Sequence, residues 1–197
     1  SRMGSYAYEF LERAGDYFIN RGPKGEVAAL NKFEEFLDKL DEEISAYIVQ
    51  LSEKKLTIVQ ARKATVLLKS TRDFERIGDH ADNIVELTQY AIENKVSFSE
   101  RALTDLQTMM KLTAETIGIA IRSLQRGDKR LAEKVIDNES QIDEMEKVNR
   151  AGHIQRLNDK TCTGSAGAIF LDMLSNIERI ADHAVNIAEY VLEEKRI

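Results

Sequence analysis

The chain contains one pattern twice. Phe74-Glu75-Arg76-Ile77-Gly78-Asp79-His80-Ala81-Asp82-Asn83-Ile84-Val85-Glu86 recurs, with few changes, as Ile177-Glu178-Arg179-Ile180-Ala181-Asp182-His183-Ala184-Val185-Asn186-Ile187-Ala188-Glu189, an offset of 103 residues. Upstream, Arg21-Gly22-Pro23-Lys24 and Leu37-Asp38-Lys39-Leu40 match Arg126-Gly127-Asp128-Lys129 and Ile142-Asp143-Glu144-Met145 at an offset of 105, so a small insertion or deletion separates the two blocks. A chain built this way folds as two copies of one unit, here residues 1–97 and 98–197, related by a pseudo-two-fold axis rather than stacked as a solenoid.

The unit is helical. Apolar residues recur at three- and four-residue spacing, as in Ile44, Ile48 and Leu51 or Leu112, Ile119 and Leu124, and no useful length alternates in the manner of a strand. Gly22-Pro23 ends a first helix and begins a second, since proline is tolerated in a first turn where its missing N–H has no partner. Asp128 replaces Pro23 in the second half and is expected to cap the same helix. Thr57-Ile58-Val59-Gln60 and Ser97-Phe98-Ser99-Glu100 have the spacing of capping boxes, and Thr161 to Gly167 forms the last turn. The expected helices are 2–21, 26–52, 57–95, 99–126, 129–158 and 166–195. The fold class is all-α, two tandem three-helix bundles whose longer helices run about 40 Å or more.

Composition agrees and narrows the function. Hydrophobic residues make up 43% and charged residues 31%, with one proline and no tryptophan, the balance of amphipathic helices with solvated outer faces. A net charge of -6 argues against a nucleic-acid groove, which needs a clustered basic face. Cys162 is the single cysteine, so no intrachain disulfide forms. No stretch approaches the roughly 18 to 20 apolar residues of a membrane span, and the N-terminus lacks the layout of a secretory signal. The opening Ser1-Arg2-Met3-Gly4, without an initiator methionine, reads as a piece cut from a longer protein.

Carboxylates carry the chemistry. Glu75 with Asp79 and Glu178 with Asp182 stand four apart, each pair on one helix face, and the same spacing recurs at Glu34 with Asp38 and Glu139 with Asp143. If the second and third helices of each half form an antiparallel hairpin, the pairs are symmetric about its turn, so four carboxylates meet at one level in each half. Like charges that close must protonate or recruit cations. Ferric iron, manganese, magnesium or calcium suits such oxygen ligands, with zinc a borderline alternative. A single pair is explained as well by a solvated face with Arg76 or Arg179 as salt-bridge partner; the repetition and the matched heights favour metal. His80 and His183 turn about 100° away from the adjacent Asp residues and are expected at a buried or interface position. Asn83 and Asn186, one turn further on, are candidates for hydrogen bonding around a metal.

The segments Phe74 to Glu86 and Ile177 to Glu189 resemble the repeated signature of the PhoU family. That resemblance implies two three-helix bundles, carboxylate motifs holding multinuclear iron or a related cluster, and negative regulation of phosphate uptake. By position, Glu75, Asp79, Glu178 and Asp182 fall on the signature, and Glu34, Asp38, Glu139 and Asp143 on the companion motif of the preceding helix. Ala181 departs from the glycine found at Gly78. His153-Ile154-Gln155-Arg156-Leu157 followed by Cys162-Thr163-Gly164 is similar to the cytosolic tail domains of bacterial sodium-dependent phosphate cotransporters. The implied partners are the phosphate transport machinery or the chain's own membrane domain, with a homodimer expected. The implied location is the cytoplasm, tethered to the inner face of the membrane if the chain is a transporter part.

No catalytic role is assigned. A carboxylate-bridged metal enzyme would want imidazole ligands, and the three histidines lack the Glu-x-x-His spacing of ferritin-like sites. A metal-free structural adaptor, its carboxylates in salt bridges, is the remaining alternative.

Overall fold

The computed structural model describes residues 2–22 and 24–193, the side chain of Lys24 excepted. Six helices follow in order: α1 (Arg2–Asn20), α2 (Lys24–Ser52), α3 (Ile58–Glu93), α4 (Glu100–Arg126), α5 (Lys129–Asn158) and α6 (Gly164–Glu193). No strand occurs among the described residues. The expected part of Pro23 in the first turn of α2, and the expected end of the last helix at 194 and 195, lie outside them.

The caps show why the elements begin where they do. Gln60 N donates to Thr57 Oγ1 at 3.3 Å while Gln60 Oε1 accepts from Thr57 N at 2.9 Å, so the expected capping box starts α3. Asp128 Oδ1 accepts from the backbone N of Arg130 and Leu131 at 3.0 and 3.3 Å and starts α5. The cap of α4 is Ser99, accepting from Ala102 N at 3.3 Å, and not Ser97. Phe98 supplies the reason: its ring packs edge-on against Phe18, 5.6 Å between centroids, which draws the chain inward and starts the helix one residue later.

The ends of α1 and α4 correct the alignment of the halves. Gly127 ends α4 in the left-handed conformation (φ 61), and the residue that ends α1 in that conformation is Arg21 (φ 47), not Gly22. Gly22 N donates to Tyr17 O and Asp128 N to Ser123 O, the same closing bond in both halves. The first helices therefore correspond at an offset of 106. A side chain in this conformation costs about 1 kcal/mol or more, and Arg21 offsets it by donating from Nη2 to Val96 O at 2.6 Å.

Every pair of helices within each half is in contact, and among the described residues only like meets like between halves, α1 with α4 and α3 with α6. The pseudo-dyad expected from the repeats thus passes between α3 and α6. Repeat partners are buried together, as with Leu30 and Val135, Leu37 and Ile142, Ile77 and Ile180, or Ile84 and Ile187. One core runs through both bundles, so each half rests on the other.

Two glycines test the packing. A Cβ on Gly78 would meet Leu37 alone, crowding its terminal Cδ1 at 2.5 Å and touching its Cβ and Cγ at an ordinary 3.7 Å. The second half carries Ala181 there, with Ile142 as the partner of Leu37. A Cβ on Gly167 would instead strike the ring of His153, 2.6 Å from Nε2, and that ring is only 1% exposed. Gly78→Ala is expected to change stability by less than about 1 kcal/mol, helix propensity offsetting the crowding. Gly167→Ala is expected to cost about 2–3 kcal/mol as an overpacked site. Urea denaturation of the two variants checks the ranking.

Candidate metal centre

The α2–α3 and α5–α6 hairpins place the carboxylates at matched heights, and the electrostatics report it. Glu34 on α2 is raised above the ordinary carboxylate range first by burial, then by Asp38, Asp82 and Asp79, two of them across the hairpin on α3. Burial likewise pushes Glu75 and Asp79 up; Asp79 and Asp38 add to it, and the Arg76 guanidinium opposes it. In the second half burial raises Glu139, followed by Asp143, Asp182 and Glu178. Glu178 and Asp182 are raised by burial and then by their neighbours, Asp143 among them. In each half the four predicted carboxylates are linked across the hairpin, in the first half through Asp79 acting on Glu34 and Asp38 acting on Glu75 and Asp79.

The halves differ in closeness. Ligand oxygens of Asp38, Glu75 and Asp79 lie within 4.8 Å of one another, the only such trio among the described residues. Opposite oxygens around a calcium ion stand about 4.6–5.2 Å apart and around magnesium about 4.2 Å. The trio is thus spaced on the scale of oxygens that would surround one large cation. Acceptor-only oxygens with no imidazole suit hard cations. Arg76 supplies part of the compensation, 2.9 Å from Asp79 Oδ2 and 3.5 Å from Glu75 Oε2, but it is 52% exposed and so a screened partner. Beside the second set lies an open recess of about 470 Å3, lined by Glu178, Asp182, Glu189 and the two histidines.

Three further acids join the clusters. Asp82 and Asp41 add to the first and Glu146 to the second. Asp82 has Val185 as its repeat partner, so a search for recurring pairs passes over it. Its position three residues after Asp79 on α3 was the available signal.

The histidines and asparagines form a separate network on the dyad. His80 and His183 stack at 5.7 Å between ring centroids, as expected of an interface position. His80 Nδ1 and Asn83 Nδ2 both meet Asn176 Oδ1, at 2.9 and 3.1 Å. His183 Nδ1 and Asn186 Nδ2 meet Asp73 Oδ1 at 2.9 and 3.0 Å, and Tyr190 OH donates to Asp73 Oδ2 at 2.8 Å. Asn83 and Asn186 are thus engaged by Asn176 and Asp73 of the opposite bundle rather than by the eight predicted metal-ligand carboxylates. Asp73 and Asn176 are themselves repeat partners, so one hub is anionic and its twin neutral.

Among the described residues no helix is long and apolar enough to cross a membrane. Comparison with known proteins gives the architecture its relatives. The PhoU homolog 1 of Thermotoga maritima, a phosphate-specific transport system accessory protein, is 29% identical over 160 residues, 81% of this chain and 68% of that one. The corresponding homolog of Xylella fastidiosa is 28% identical over 191 residues, 97% of this chain and 79% of its own. The crystal structure of PhoU from Pseudomonas aeruginosa shares the fold, with a TM-score of 0.89 at 22% identity over 97% of this chain and 90% of that one. The family model for the PhoU domain matches residues 1–88 and again 106–191, once in each half. The duplication first seen as a sequence repeat is therefore a duplication of that domain, and this chain belongs to the PhoU family.

Proposed function

We propose that the chain is a metal-binding regulatory module that controls phosphate uptake, acting as the cytosolic part of a sodium-dependent phosphate transporter. The observation that carries the metal half of this reading is the meeting of Asp38, Glu75 and Asp79 within 4.8 Å, in a cluster whose acids push one another's pKa upward. A bound cation would supply positive charge where several carboxylates converge. Those residues would hold it, and α2 and α3 would be clamped at the height where their like charges otherwise repel. The regulatory half rests on family membership and on relatives described as accessory proteins of phosphate transport. Attachment to a transporter rests on the resemblance of the segment from His153 to Gly164. A site without imidazole ligands favours holding a cation over turning one to catalysis.

Elemental analysis of the purified chain tests this beside a variant with Glu75, Asp79, Glu178 and Asp182 changed to Ala. The expected result is at least one equivalent of iron, manganese, calcium or zinc in the parent and its loss in the variant. A parent that arrives metal-free and takes up none of these ions on titration leaves a helical adaptor held by its core.

A further inference from the structure

At two places on α5 where the first half is apolar, the second half is polar. His153 occupies the place of Ile48 and Arg156 that of Leu51, each 105 residues on. The first bundle folds with isoleucine and leucine there, so the packing itself does not call for an imidazole and a guanidinium. Both are nonetheless drawn inward: His153 is 1% exposed and the Arg156 side chain 15%.

These two side chains line a cavity of about 290 Å3 between the α5–α6 turn and the start of α4. Lys160 and the hydroxyl residues Ser97, Ser99, Thr161 and Thr163 line it as well, and no Asp or Glu does so among the described residues. In a chain of net charge -6 that is a local surplus of cation. Burial, and then Arg156, pushes the pKa of His153 down, so the cavity's charge is that of the arginine and the lysine. Ser99 and Thr163 stand immediately before α4 and α6, and their hydroxyls accept from Ala102 N and Ala166 N, each at 3.3 Å. The positive ends of two helices therefore lie at the cavity wall.

The guanidinium is held in place but not satisfied. It lies over the Phe170 ring, 5.1 Å from the centroid, with Nη1 3.5 Å from Asp105 Oδ2. Arg101 Nε meets the same carboxylate more closely, 2.8 Å from Oδ1, so two guanidinium groups share one anion. Arg156 Nη2 is buried with no hydrogen-bond partner among the described residues. A buried charged donor left unmatched is costly, and it marks a place where a further acceptor is wanted.

We propose that this cavity binds a tetrahedral oxyanion, either inorganic phosphate or the phosphate end of a monoester, with Arg156 as its fork and Lys160 as its second cation. The two helix N-termini and the Ser99 hydroxyl present donors from the opposite wall. The volume lies at the lower edge of the about 300–1,000 Å3 of small-molecule pockets, which suits a small anion rather than a large cofactor. None of the eight predicted metal-ligand carboxylates lines the cavity, so the site stands whether or not those clusters hold metal.

The experiment is calorimetric titration of the full chain with sodium phosphate and, separately, with glycerophosphate. Chelator is present throughout, so that no anion is read through a bound cation. The parent is compared with Arg156→Leu, which installs the first-half residue, and with Lys160→Gln at an exposed turn position. The expected result is saturable binding to one site, weakened by added salt, about tenfold or more weaker in Arg156→Leu and severalfold weaker in Lys160→Gln. Tighter binding of phosphate assigns the site to the free ion, and tighter binding of glycerophosphate assigns it to a monoester. Thermal melts without ligand show whether each variant folds, and if Arg156→Leu does not, Lys160→Gln decides. A purely structural Arg156 leaves the Lys160 variant equal to the parent. That equality, or a parent that binds neither anion saturably, overturns the proposal.

Discussion

The metal-free protein is expected to lose stability as the pH rises above the ordinary carboxylate range, and a hard divalent cation is expected to restore it. Glu34, Glu75, Asp79, Asp82, Glu139, Glu178 and Asp182 all have folded-state pKa values above the ordinary range, with burial as the first cause. Between the ordinary carboxylate values and the raised ones, the folded chain binds more protons than the unfolded chain, so stability falls with rising pH. Below that window both states are protonated, and above it both are ionised with the repulsion in full. Cation binding removes the repulsion, and at 100 times its dissociation constant it contributes about 2.7 kcal/mol, or about 5–11 °C for a chain of this size. Differential scanning fluorimetry across pH, with and without chelator, reads both effects. A midpoint that climbs with pH in chelator, or ignores added cation, refutes the clusters as built.

The second large effect belongs to the dyad. Asp73 is 6% exposed and accepts from His183, Asn186 and Tyr190 on the opposite bundle. Asp73→Ala strands three polar groups at once and is expected to cost about 3–5 kcal/mol. Asn176, its repeat partner, receives only His80 and Asn83 and carries no charge. Asn176→Ala is expected to cost about 1–2 kcal/mol. Equilibrium denaturation in urea compares them, and equal losses would show that the anionic hub does no more than the neutral one. The same Asp73 variant returns the Tyr190 hydroxyl, now pushed upward by burial and by that carboxylate, towards its ordinary titration in an absorbance scan.

What the sequence made legible was what each element decides locally or what the duplication copies. The capping box at Thr57, the cap at Asp128 and the matched heights of the carboxylate pairs depend on spacing along one or two helices, and they stand in the structure as expected. The start of α4 at Ser99 depends on Phe98 meeting Phe18, a contact that spacing does not encode. Asp82 stayed hidden because Val185 answers it in the other half, and repetition was the filter. Asp73 stayed hidden for a related reason: its twin is Asn176, and its three partners lie more than a hundred residues away. The closer gathering of Asp38, Glu75 and Asp79 in the first cluster has no signal in the Glu-x-x-x-Asp spacing, which both halves share.

Since α3 and α4 are joined by residues 94–99 alone, the surface that α3 presents to α6 never meets its partner by diffusion. A short tether holds the two halves at an effective concentration in about the millimolar range. At that concentration an interface needs little intrinsic affinity to remain closed. Its centre is free to be polar, with two imidazoles stacked and a carboxylate drawn out of water, where two separate subunits at cellular dilution would need a larger apolar seam.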